Sequence, residues 1–130
     1  MSIPTKVTSL TNVSVLPAAL RTAAVDGAGI DLRDFNGQVV VVVNSGNITA
    51  GATNSTFPIS LMTGPTTSIG DASAATLDTT ITATNVGSLQ TAEVDTRKAD
   101  RYLFARCTIT GASDPAFPIS ISLIGSPQTA

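Results

Sequence analysis

The block Phe-Pro-Ile-Ser occurs twice in this chain, at 57–60 and at 117–120, and each copy closes a longer echo. Ile48-Thr-Ala-Gly-Ala-Thr-Asn-Ser-Thr-Phe-Pro-Ile-Ser60 matches Ile109-Thr-Gly-Ala-Ser-Asp-Pro-Ala-Phe-Pro-Ile-Ser120 at eight of twelve aligned positions once one residue is omitted. Working backwards, the end of the valine run Val39–Val43 falls against Tyr102–Phe104. Each copy therefore reads as a strand, a glycine-containing loop, and a strand that opens on Phe-Pro-Ile-Ser. The copies stand about half the chain apart, and 130 residues suit one hydrophobic core and not two. Two related hairpins in one core predict a sandwich with approximate internal symmetry.

Periodicity supports strands. In Arg101–Thr110, residues Leu103, Ala105, Cys107 and Ile109 share one face, and Tyr102, Phe104, Arg106 and Thr108 share the other. In Phe117–Ile124, the set Phe117, Ile119, Ile121 and Leu123 alternates with Pro118, Ser120 and Ser122. Because Pro118 lacks an N–H, this segment is expected to be an edge strand or to carry Pro118 at its first, unpaired positions. Residues 79–84 and 88–95 read as two more strands around Asn85-Val86-Gly87, while a short Ala-rich piece near Asp71 to Leu77 is the one helical signal. Thr occurs 20 times and Ser 13 times, a composition that disfavours longer helices.

The run Val39–Val43 does not alternate, and a strand that is apolar on both faces needs cover on both. The plain reading is a central strand of the sandwich. Its second face then lies under the N-terminal segment or against a neighbouring molecule, since an open uncharged β-branched run invites aggregation. Residues 1–34 differ in character: Ile3, Val7, Leu10, Val13, Val15 and Leu16 are scattered, Pro4 and Pro17 interrupt them, and Asp26-Gly-Ala-Gly29 marks a turn. The first part reads as an extended arm that either pairs with its own sandwich or reaches a neighbour. The expected architecture is all-β, an antiparallel β-sandwich of jelly-roll-like or Greek-key type, with an N-terminal arm and lead-in over 1–34 and the sandwich over 35–130.

Chemistry is thin. The chain has no His, no Trp and one Cys, which removes His-based acid–base catalysis, the common zinc ligand sets and an internal disulfide. Seven basic and nine acidic residues leave a formal charge of −2, with no basic field to gather a polyanion, so no nucleic-acid partner is expected. The acid pairs Asp31 with Asp34, Asp71 with Asp78 and Asp95 with Asp100 stand in turn-like surroundings where Asp favours the local backbone. Asp26-Gly-Ala-Gly29 lacks the third glycine and the strand–helix context of a dinucleotide fingerprint. Cys107 falls on the apolar face of its strand and reads as a small core residue. Neither enzyme activity nor a cofactor or metal is expected. The start lacks the basic and apolar regions of a secretory signal, and the longest purely apolar run is five valines, so neither export by that route nor a membrane partner is expected.

Charge is also placed unevenly. None falls between Phe35 and Gly70 or between Pro115 and Ala130, whereas Arg97, Lys98, Arg101 and Arg106 cluster near one turn with Asp95 and Asp100 among them. Uncharged hydroxyl and valine surface loses little on desolvation, which suits burial against other molecules.

The strand Arg101-Tyr-Leu-Phe-Ala-Arg-Cys-Thr-Ile-Thr-Gly111, followed by Phe117-Pro-Ile-Ser-Ile-Ser-Leu-Ile-Gly125, resembles small virion proteins of tailed bacteriophages, and in character the capsid decoration, or cement, proteins. The likeness spans about residues 35–125 and rests on pattern. It implies a protein made in bacterial cytoplasm that sits on the outside of an icosahedral head, often as a homotrimer, and stabilises the shell by bridging major capsid subunits. The expected contact residues are Ile3, Val7, Leu10, Val13, Val15 and Leu16 of the arm, Thr53 and Asn54 of the uncharged loop, and Arg97, Lys98 and Arg101. Two rivals are a tail, connector or fibre component and a virion glycan-binding module, for which Tyr102 and Phe35 are the aromatic platforms.

Overall fold

The structure is a computed structural model that describes residues 10–48, 55–74, 81–83, 87–110 and 115–127. Among the described residues ten strands follow one another: β1 (Thr11–Arg21), β2 (Val25–Asp26), β3 (Ile30–Asp31), β4 (Phe35–Ser45), β5 (Phe57–Gly64), β6 (Ser73–Ala74), β7 (Ile81–Ala83), β8 (Ser88–Asp95), β9 (Tyr102–Cys107) and β10 (Phe117–Pro127). They form two antiparallel sheets, one ordered β1-β10-β4-β8, the other β2-β9-β5-β6 with β3 also on β9 and β7 also on β5. Since β2 and β3 share one partner and β6 and β7 another, they act as two interrupted strands. The eight resulting strands have the connectivity of a jelly roll, so the expected all-β sandwich is what the chain adopts.

The internal echo is the symmetry of this fold. Advancing by half the chain carries β1 onto β6 and β7, β2 and β3 onto β8, β4 onto β9, and β5 onto β10, which exchanges the two sheets. Phe57 and Phe117, the first residues of the two echo strands, meet in the core with ring centroids 5.5 Å apart and planes tilted by 44°. The two prolines are equivalent as well. The Pro118 carbonyl accepts from Gly46 N at 2.8 Å and the Pro58 carbonyl from Thr108 N at 3.1 Å, in each case just past the end of the neighbouring strand. A missing N–H on that side costs no ladder bond. Hence β10 is an interior strand, paired with β1 and β4, that carries its proline one residue from its start.

Inward side chains from both sheets build one core, including Val39, Val41 and Val43, Leu103, Ala105 and Cys107, and Ile119, Ile121 and Leu123. Its packing is close: a β-carbon on Gly125 would stand 2.6 Å from Phe35 Cδ1 and 2.7 Å from Val39 Cγ1.

Residues 11–34, set apart as arm and lead-in on sequence grounds, carry three strands that all pair within the chain. A bulge between Ser14 and Leu16 turns the consecutive residues Val15 and Leu16 both inward, and the β2–β3 turn closes over β1, with Ala28 N donating to Val15 O at 3.2 Å. The Ala-rich helical signal is overturned over its described part: Ile69–Asp71 is a single 3-10 turn and Ser73–Ala74 is strand. Among the described residues no helix is long and apolar enough to cross a membrane.

Candidate functional site

The four-stranded sheet has one face in the core and one on the outside, and the outside face is where composition leaves its mark. β10 alternates without fault through Gly125, so Ser120, Ser122 and Ile124 point outward, each half-buried. The register sets them beside Asn44, Val42 and Val40 of β4, which in turn stand beside Leu89, Thr91 and Glu93 of β8. On the other flank β1 adds Asn12, Ser14 and Leu20. The valine run thus divides by parity: Val39, Val41 and Val43 are at most 1% exposed, while Val40 and Val42 are half-buried on a face that no described segment of the chain covers. Glu93 and, at one end, Asp95 are the charged side chains that the register places on this face among the described residues. Leu89 is 67% exposed and Leu20 54%.

The face is not flat. Between the pairs Leu16–Ile121 and Ala19–Ile119, β1 sets two residues, Pro17 and Ala18, against the single Ser120. The resulting bulge and the end of β4 leave a shallow groove of about 450 Å³ lined by Ala18, Ala19, Asn44, Ser45, Gly46, Pro118, Ile119 and Ser120.

The charged groups gather elsewhere, and in pairs. Arg101 donates to both Asp31 oxygens, with Nη2 at 2.9 Å from Oδ2, and its guanidinium stands 5.1 Å from the centre of the Tyr102 ring. This hydrogen-bonded guanidinium holds the Asp31 carboxyl below the usual carboxylate range against the opposing effect of burial, and Arg33 N adds to it at 3.0 Å. Arg97 lowers Asp95 in the same way, through its guanidinium and its backbone N–H. Arg106 pairs with Asp26 at 3.2 Å. An open cleft beside these groups is lined by Leu32, Arg33, Phe35, Pro65, Thr96, Ala99, Asp100 and Arg101. Of its charged lining residues Arg101 is engaged, braced against Asp31 at the edge of the cleft.

The expected contact residues are scattered. Ile3, Val7, Thr53 and Asn54 lie outside the described residues. Leu10 is 45% exposed at the entrance to β1 and Val13 is half-buried, but Val15 and Leu16 are 0% and 2% exposed, taken up by the chain's own core. Lys98 and Arg97 are exposed at the β8–β9 turn, whereas Arg101 is committed to Asp31. Of the two aromatic platforms, Phe35 is 4% exposed and packs against Gly125, so it offers no ring to a sugar, and Tyr102 is half-buried under Arg101. Cys107 is a core residue whose thiol burial pushes up to about 12. The exposed leucines 20 and 89 were missed on sequence grounds. For Leu89 the signal was there, since it shares parity with Thr91 and Glu93 against Ala92 and Val94.

No family model matches this sequence, and no curated protein matches it. Solved structures do resemble the fold. The crystal structure of the SPBc2 prophage-derived protein YomS superposes with a TM-score of 0.56 at 16% identity, covering 89% of this chain and 91% of that one. Weaker likenesses are to a structure of infectious bursal disease virus, Gx strain, with a TM-score of 0.38 at 12% identity over 88% of this chain and 30% of that one, and to a family two carbohydrate esterase from Cellvibrio japonicus, with 0.33 at 7% over 92% and 34%. The first likeness extends over nearly the whole of both chains and concerns the fold.

Proposed function

We propose that this protein is a structural component of a tailed-phage virion that decorates the outside of the head and stabilises it by bridging major capsid subunits. The observation that carries this reading is the outer face of the four-stranded sheet: a broad, nearly uncharged surface of Ser, Thr, Asn, Val and Ile with two exposed leucines. A face with so few ions has little hydration to lose when another protein covers it. Left bare on a solitary molecule, it is a sheet surface prone to association. The jelly-roll framework shared with a prophage-derived protein is consistent with a phage setting, and so is the pattern of the last two strands.

Each copy would add a modest contact across a joint between subunits, and many copies would act together by multivalency. Leu10, exposed at the entrance of β1, and the exposed Arg97 and Lys98 would meet the shell, whereas Val13 packs against the chain's own core. The protein would be made in the host cytoplasm and end on the virion exterior, with neither nucleic acid nor membrane as a partner.

The test is mechanical. Heads purified with and without the protein are heated or osmotically shocked, and DNA release is followed. Decorated heads should survive conditions that open bare ones; equal resistance would overturn the decoration reading. Electron cryo-microscopy of the same particles separates the head from its rivals, since density confined to the tail, connector or fibre would assign the protein there.

A further inference from the structure

The outer sheet face carries both a knob and a hole, and the register puts them on one line. Ser120 pairs with Asn44, and Asn44 pairs with Leu89, so the groove beside the Pro17–Ala18 bulge and the protruding Leu89 lie in the same transverse row. Adjacent strands are about 4.8 Å apart, which places Leu89 one spacing to one side of β4 and Ser120 one spacing to the other. A two-fold axis along β4 in the plane of contact would therefore bring each knob over the opposite hole.

We propose that two copies of this chain pack the outer faces of their four-stranded sheets together about such an axis, each Leu89 seated in the other's groove beside Pro118 and Ser120. An axis parallel to the strands keeps the two sheets aligned, the arrangement in which sheets pack face to face at about 10 Å. A closed two-fold pair needs one surface that is complementary to itself. A face that is nearly neutral meets that condition electrostatically, and a knob and hole in one row meet it in shape. Glu93 sits in the row of Val40 and Ile124, and the axis carries it over Ile124 of the second copy, one strand spacing from Asn12, whose amide is the donor in that row within reach of it. The axis lays β10, β4 and β8 of one copy over β8, β4 and β10 of the other and leaves β1 overhanging, so three strands and about five outward rows, roughly 10 to 15 by 30 Å, face each other, which puts the pair at the small end of the range of stable interfaces.

This inference rests on the assembly reading only in that the face needs cover, and it is tested on the purified protein without shells. Sedimentation equilibrium should give a species of twice the 13.1 kDa chain mass. Leu89→Arg, at an exposed position, should leave the circular dichroism spectrum unchanged and weaken the dimer at least about tenfold. Leu89→Cys and Ser120→Cys supply a geometric test. Within one chain the two positions flank β4 about 10 Å apart, beyond the reach of a disulfide. Oxidation of the double variant, or of an equal mixture of the single variants, should give a covalent dimer, and neither single variant alone should do so.

A wild-type protein that sediments as a monomer or a trimer, or a dimer indifferent to Leu89→Arg, would overturn the proposal. So would cross-linking of Leu89→Cys to itself, which needs a different axis. A monomer whose Leu89→Arg variant no longer attaches to heads would give the face to a capsid subunit instead, sinking the pair and sparing the decoration reading. An intact pair with no effect on heads would do the reverse.

Discussion

Asp31 shows how this chain uses its few charges. Its carboxylate accepts from Arg101 and from Arg33 N, tying the β8–β9 turn and the 3-10 turn after β3 together at one end of the sandwich. The Arg101 guanidinium lowers the Asp31 pKa from its ordinary value of 3.8, so folding favours the ionised form. The stabilisation is therefore fully present above the unfolded value, near 4, and is lost as the pH falls through the lower folded value. Both partners keep contact with solvent, so the contribution is small. Asp31→Asn should lower the urea midpoint slightly at pH 7, and the gap between variant and wild type should shrink as the pH falls below the ordinary carboxylate value and Asp31 takes up its proton. An undiminished gap in acid would show that Asp31 acts through packing and not through charge. That pairing was hidden from the sequence, because Asp31 and Arg101 lie 70 positions apart; what could be read was only that acids and bases were both present near turns. Phe35 is a similar case. Its aromatic ring was visible, but Gly125, whose missing side chain makes room for it, is 90 residues away.

At the scale of elements, legibility followed strand regularity. β10 alternates cleanly and its faces could be read residue by residue, but periodicity did not decide between an edge strand and a proline near the start of an interior one; pairing with both β1 and β4 does. β1 could not, because Pro17 and two register shifts destroy the period of two and leave Val15 and Leu16 buried side by side. It read as an arm for that reason. The Ala-rich stretch read as helical because local propensity favours it, and β5, pairing with Ser73–Ala74, overrides that preference. The two prolines allow a direct comparison. Pro118 spends its missing N–H where β4 has ended, so Pro118→Ala should cost less than about 1 kcal/mol, chiefly by loosening the unfolded chain. Ser122 lies mid-ladder between Ser14 and Val42. A proline there removes a bond inside an interior strand, and Ser122→Pro should cost on the order of 3 kcal/mol or prevent folding. Thermal melts of the two variants check the contrast; similar losses would mean that the position of Pro118 is not what makes it tolerable.

For the molecule as a whole, the sequence echo foretold a half-chain symmetry, and the jelly roll realises it by exchanging its two sheets. The symmetry is broken on the outside. One sheet turns a continuous, nearly neutral face outward; the ion pairs Asp26–Arg106 and Asp31–Arg101 stand on and beside the other sheet's strands, and Asp95–Arg97 lies at the very end of β8, where that strand enters its turn. The uncharged stretches 35–70 and 115–130 were plain in the sequence, but that β4 and β10 lie side by side, so that their outward residues merge into one surface, required the topology. This segregation fixes how association should respond to salt. Contacts made by the neutral face carry no Coulomb attraction to screen, and sulfate, which is excluded from apolar surface, should strengthen them. Contacts made through Arg97 and Lys98 would instead depend on attraction across solvent and weaken as the Debye length contracts from about 10 Å towards about 3 Å. Between about 0.1 and 1 M sodium chloride the self-association constant should therefore change by less than about threefold, and replacing chloride by sulfate should raise it. Sedimentation velocity across that range decides the matter: a loss of tenfold or more would move the interface from the sheet face to the basic turn.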